Sequence, residues 1–254
     1  MKSALAALLT AILTMPLALA HSDYHGLPPA GAAAKGAPLT AVCSACHGSN
    51  GMGMTTQYPN LAGQKFNYIL KELENFRSGA RTNSIMSAMA MTIPPSPHNA
   101  NLKDIAAYFA ALAPMWTQAA QQISTPADPE QLALGQRIYT IGIAGKHIPA
   151  CAACHELGGE GNGPMAIPVL AGQQAAYMIK QLEQFASGAR HNAPGHVMHM
   201  IARSMNAKDE AAVAAYLQQL NPATTLGIGP KDFASYARAL AAPSAGAGAA
   251  TGAH

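Results

Sequence analysis

Cys43-Ser44-Ala45-Cys46-His47 returns in the second half of the chain as Cys151-Ala152-Ala153-Cys154-His155. A Cys-x-x-Cys-His run is the attachment signature of a c-type haem: the two thiols add across the vinyl groups of the porphyrin, and the adjacent imidazole is carried to the iron as an axial ligand. The two runs use all 4 cysteines of the 254-residue chain. Cys43, Cys46, Cys151 and Cys154 are therefore read as the covalent anchors of two haem c groups, with His47 and His155 as proximal ligands. The rival readings explain less. A redox dithiol gives no reason for a histidine directly after both pairs. A zinc site would have to unite pairs lying in opposite halves of the chain, far outside the spacing of a finger or knuckle. Disulfides are the remaining alternative.

Working outward from the two runs, the landmarks of the first half recur in order in the second. Pro59-Asn60-Leu61-Ala62-Gly63-Gln64 returns as Pro168-Val169-Leu170-Ala171-Gly172-Gln173, and Tyr68 returns as Tyr177. Ile69, Leu73 and Phe76 stand at steps of four and three, matched by Met178, Leu182 and Phe185. Each set forms one apolar stripe on an amphipathic helix. Both helices run into Ser-Gly-Ala-Arg, where the glycine suits a left-handed cap. A further helix closes each unit, holding Ala106-Ala107-Tyr108 in the first and Ala214-Ala215-Tyr216 in the second. The pattern is a duplicated helical domain.

A haem with a proximal histidine needs a sixth ligand if it is to be a closed carrier rather than an open, reactive iron. Aligning the segment from Arg81 to Ala90 with that from Arg190 to Ala202 on the shared alanine pairs Met86 with Met198. These two are read as the sixth ligands. Met89, Met91 and Met200 compete within the same segments, and His199 leaves a bis-histidine second site open. Pro59 and Pro168 follow their histidines at nearly the same distance, where a carbonyl can accept the imidazole Nδ1 proton and orient the ring. Arg81, Arg190, Asn83, Asn192, Tyr68 and Tyr177 have several open roles: propionates, ligand loops, helix surface or core.

The ends carry different signals. Met1-Lys2-Ser3 precedes an apolar run from Ala4 to Ala20 that ends in small residues, so residues 1–20 read as a signal peptide and point to the periplasm. An uncleaved membrane anchor is the other reading. Residues 21–37 read as a flexible lead-in, 38–114 as the first domain, 115–128 as a linker, 129–222 as the second domain and 223–254 as a largely disordered tail. Trp116, the single tryptophan, is expected at the domain interface. Asp128-Pro129-Glu130 reads as an N-cap, first-turn proline and acidic residue opening a helix. With 11% charged residues and a formal net charge of +3, the chain has no nucleic-acid footprint.

On these residues the chain resembles the two-domain, two-haem cytochromes of the cytochrome c4 family, over residues 38 to 221. The resemblance implies an all-α fold of two tandem class I cytochrome c domains, with a His/Met haem in each and electron exchange across the interface. It implies that each sulfur bound to ferric iron gives a weak far-red absorption band. It also implies a periplasmic carrier in a respiratory chain, not an enzyme. A quinol-oxidising complex or a dehydrogenase would be its donor and a terminal oxidase its acceptor, with peripheral membrane association left open. The alternative is the electron-accepting cytochrome subunit of a periplasmic dehydrogenase, such as a flavoprotein sulfide or alcohol dehydrogenase. The sequence departs from the family in its second ligand loop, which is longer and bears histidines, and in the Pro94-Pro95-Ser96-Pro97-His98 insert.

Overall fold

The computed structural model describes residues 28–29, 31–124 and 126–225. The expected signal peptide, about half of the lead-in and nearly all of the tail lie outside the described residues. The first unit consists of α1 (Ala32–Leu39), α2 (Ala41–His47), α3 (Phe66–Ser78), α4 (Ser84–Thr92) and α5 (Ala100–Ala111). The second repeats it as α6 (Pro129–Thr140), α7 (Ala152–His155), α8 (Ala175–Ala186), α9 (Val197–Ala202) and α10 (Ala207–Gln219), followed by a last turn, α11 (Pro222–Thr225). Among the described residues there is no strand, only an isolated bridge between Ile143 and Ile148.

The same helices pack together in both copies: α1 on α5, α3 on α5 and on α4, then α6 on α10, α8 on α10 and on α9. Of the stripe residues, Ile69 and Leu73 of α3 enter the first core, Met178 and Leu182 of α8 pack in or against the second, and Phe76 and Phe185 are buried beneath the guanidiniums of Arg81 and Arg190. Polar caps fix the starts of two helices. Asn83 accepts from the Ile85 and Met86 amides at the head of α4, and Asn206 and Asp209 form a reciprocal capping box at the head of α10. Asp128 does occupy the N-cap position of α6, with Pro129 and Glu130 in the first turn, but its side chain makes no capping bond.

One expectation needs correction. The stretch read as lead-in to residue 37 contains most of α1, which begins at Ala32 and packs on α5. The contact is made by closeness rather than by large side chains. A Cβ on Gly36 would lie 2.0 Å from the Asp104 carbonyl oxygen, and one on Gly135 of α6 would lie 2.1 Å from that of Ala212. Only glycine lets the two backbones approach so far. The copies differ just after this crossing: Thr40 alone separates α1 from α2, whereas residues 141–150 intervene between α6 and Cys151. That insert holds the Ile143–Ile148 bridge and Lys146, which pairs with Asp209 of α10.

The linker is not a loose tether. Met115 is fully buried in a third apolar cluster with Met52, Ala62 and Val169, and Trp116 packs against that cluster and against the second core, as expected of an interface residue. Two buried glutamines join the halves by reciprocal bonds. Gln64 Nε2 donates to the Val169 carbonyl at 3.1 Å while its Oε1 accepts from the Val169 amide at 2.8 Å. Gln173 does the same to Asn60, donating to its carbonyl at 2.9 Å and accepting from its amide at 2.9 Å. Gln64 and Gln173, like Asn60 and Val169, are equivalent positions of the repeat, so the seam has approximate twofold symmetry.

Candidate functional site

Cys43, Cys46 and His47 lie on α2, and Cys151 caps α7, which carries Cys154 and His155. On a helix the spacing i, i+3, i+4 brings both thiols and the imidazole to one side. No disulfide engages any of the four thiols. Burial raises the pKa of the free Cys43 thiol and pushes that of the free Cys151 thiol up to about 11.

Both histidines are buried, at 6% exposure for His47 and 8% for His155. His47 Nδ1 lies 2.9 Å from the Pro59 carbonyl, 12 residues on, and His155 Nδ1 lies 3.1 Å from the Pro168 carbonyl, 13 residues on. A carbonyl can only accept, so each Nδ1 carries the proton and each Nε2 presents a lone pair. Desolvation lowers both imidazole pKa values, although the carbonyl bond acts against it, and the rings are neutral at physiological pH. Two thiols beside a neutral imidazole with its tautomer fixed by a second-shell carbonyl form a donor set that fits a covalently held haem. The Pro-x-Leu-Ala-Gly-Gln turns that supply these carbonyls are pinned identically. Leu61 and Ala62 donate to the Gly51 carbonyl at 2.7 and 3.1 Å, and Leu170 and Ala171 donate to that of Gly159 at the same distances.

The residue after each histidine has positive φ. Gly48 adopts φ 73°, ψ 151°, and its counterpart Glu156 adopts φ 63°, ψ 157°, a region that side chains strongly disfavour. The Tyr139 hydroxyl donates to the Glu156 carbonyl and Asn162 to its carboxylate, which hold this backbone in place.

Met86 sits half-buried on α4 against the first core, and Met198 half-buried on α9. Of their competitors, Met91 is 66% and Met200 56% exposed, while Met89 is half-buried. His199 is tethered through Nδ1, 2.8 Å from the Phe185 carbonyl at the end of α8. Met52 lies in the interface cluster and Met54 is exposed.

Of the residues with several open roles, all but Asn83 converge across the seam. Arg81 donates to Glu72 at 2.7 Å, to Tyr177 at 3.1 Å and to Gln181 at 2.6 Å. Arg190 donates to Gln181 at 2.9 Å and to Tyr68 at 3.2 Å, and its Nη2 lies 3.3 Å from Glu72. Glu72 and Gln181 are repeat equivalents, so two buried guanidiniums share a single interfacial carboxylate. Burial alone would raise the Glu72 pKa, but Arg190 and Arg81 outweigh it and hold the group at about 2. Sequence reading missed Glu72, Gln64 and Gln173. The only signal was a glutamine at the same place after Ala-Gly in both copies.

A cytochrome c family model matches residues 33–113 and again 132–221. Cytochrome c4 of Azotobacter vinelandii is 37% identical over 85% of this chain and 99% of its own length. The chain belongs to the cytochrome c4 family. It is thus a dihaem electron-transfer cytochrome that carries two covalently bound haem c groups. The crystal structure of reduced recombinant cytochrome c4 from Pseudomonas stutzeri superposes on this cytochrome with a TM-score of 0.65 at 34% identity, covering 74% of this chain and 98% of that one. A thiosulfate dehydrogenase electron acceptor of Stutzerimonas stutzeri is 36% identical over 74% of this chain and 83% of its own length. Among the described residues of this cytochrome, no helix is long and apolar enough to cross a membrane.

Proposed function

We propose that the chain is a periplasmic carrier in which Cys43, Cys46, His47 and Met86 hold one haem and Cys151, Cys154, His155 and Met198 hold the other. Haem c supplies a one-electron ferric/ferrous couple. The observation that carries the assignment is the matched pair of imidazole–carbonyl bonds, His47 to Pro59 and His155 to Pro168, which leave Nε2 as donor in both copies. The carbonyls strengthen those donors and fix the rings. Met86 and Met198 would supply the sulfur ligands of the two irons, a donor that raises the potential and leaves no open position for small molecules. Electrons enter from a quinol-oxidising complex or dehydrogenase and leave towards a terminal oxidase. Met86→Ala and Met198→Ala should each remove about half of the far-red sulfur band, one of two equal contributions. A full band in either variant refutes that ligand. Stopped-flow oxidation of the reduced holoprotein by candidate oxidases tests the direction of flow.

A second reading is favoured by one specific observation, the relative whose name makes it the electron acceptor of a thiosulfate dehydrogenase. In that reading the chain drains electrons from a periplasmic dehydrogenase, of which thiosulfate-oxidising enzymes are the class the relative suggests. Reduction of the pure holoprotein by such a dehydrogenase and its substrate, faster than by a quinol-oxidising complex, would favour it.

A further inference from the structure

The two ligand-bearing segments begin alike and are held differently. Each starts at an interfacial arginine followed two residues later by asparagine, Arg81 and Asn83 in the first copy, Arg190 and Asn192 in the second. Asn83 acts locally: its Oδ1 accepts from the Ile85 and Met86 amides at 3.1 and 2.9 Å, so the cap of α4 sits directly on Met86. Asn192 cannot do this, because residues 193–196 intervene before α9, with Gly195 and His196 both at positive φ. Its side chain turns across the domain seam instead. Asn192 Nδ2 donates to Glu72 Oε2 at 2.9 Å, and its Oδ1 accepts from Arg190 Nε at 3.0 Å. Arg190 in turn lies against the same Glu72 oxygen.

We propose that Glu72, a residue of the first domain, is a positioning residue for Met198 in the second. Through Asn192 and Arg190 it fixes the root of the longer ligand loop, the task that Asn83 performs within its own domain. The arrangement is one-sided. Gln181, the counterpart of Glu72, accepts from both arginines but makes no bond to Asn83. Loss of the Glu72 carboxylate therefore acts chiefly on the iron of the other domain: it also takes a partner from Arg81, but Arg81 keeps Tyr177 and Gln181, and Asn83 still caps α4 at Met86.

The inference rests on Met198 being the second sulfur ligand, and the test separates the two claims. In the full-length holoprotein, Glu72→Gln and Asn192→Ala are compared with Met198→Ala and Met86→Ala. The readouts are the far-red band, a two-step redox titration, and amide hydrogen exchange over residues 193–199. The expected result is faster exchange in that loop, a band reduced towards half, and a midpoint shift that for Asn192→Ala is confined to, and for Glu72→Gln is largest at, the midpoint that Met198→Ala also moves. Asn192→Ala keeps the test open should Glu72→Gln fail to fold. Equal shifts at both haems, no shift, or a shift confined to the midpoint moved by Met86→Ala would overturn the proposal while leaving the ligands intact. An unchanged band in Met198→Ala would overturn the ligand assignment and this proposal with it.

Discussion

Replacing Gln64 or Gln173 by alanine tests how the two halves are joined. Each side chain closes two hydrogen bonds with buried main chain of the other domain, Gln64 with Val169 and Gln173 with Asn60. Truncation leaves one N–H and one C=O without that partner, at about 1–3 kcal/mol each, so the loss is about 2–6 kcal/mol per glutamine, with the low end where water enters. That is a large share of a typical domain stability of about 5–15 kcal/mol. Urea unfolding of the holoprotein, followed by Soret absorbance and far-ultraviolet circular dichroism, measures it. Because the two bonds are symmetric, Gln64→Ala and Gln173→Ala should cost nearly the same, and the double variant should unfold in two steps as the domains part. A loss below about 1 kcal/mol in both, too small for two stranded buried groups, would refute the reasoning. So would one costly variant beside a neutral one.

Three further expectations concern the same framework. Gly36→Ala and Gly135→Ala each place a methyl within 2.0 and 2.1 Å of a carbonyl oxygen and should destabilise by about 3 kcal/mol, the upper part of the overpacking range, read as a lower melting temperature. Glu156→Gly should stabilise by about 1 kcal/mol in chemical denaturation, because strain of about 1–3 kcal/mol is relieved against a smaller gain in unfolded-state entropy. Glu72 titrates at about 2 in the fold against an ordinary value of 4.5. Its contribution of about 3 kcal/mol is complete above pH ~4.5 and lost as pH falls through about 2. Acid unfolding of the wild type should show that loss, and Glu72→Gln should lose correspondingly less stability over the same interval.

Much of the site was legible because its chemistry is written in short spacings. The paired Cys-x-x-Cys-His runs carry the proposed anchors, and Pro59 and Pro168 stand where a turn can return a carbonyl to each imidazole, a bond the structure shows in both copies. The stripes on α3 and α8 were equally plain, since large apolar residues at helical steps report a buried face. Helix α1 was not, because it packs through Gly36 and alanines and contains Pro38, so it shows no stripe of large residues. The seam was hidden for another reason. Its bonds join residues about a hundred positions apart, often side chain to main chain, and such pairs leave no periodicity. Arg81 and Arg190 could not be assigned because their shared carboxylate, Glu72, has glutamine at the equivalent place.

What the two glutamines grasp is an amide and a carbonyl, groups that every residue but proline possesses. Position 60 is asparagine and position 169 is valine, one polar and one branched and oily, yet each is held by the same pair of contacts. The clasp is thus blind to the letter it closes on. The main-chain part of the grip outlasts a change of letter on either half, while at position 60 the asparagine side chain adds a fastening of its own to the Gly172 carbonyl of the twin.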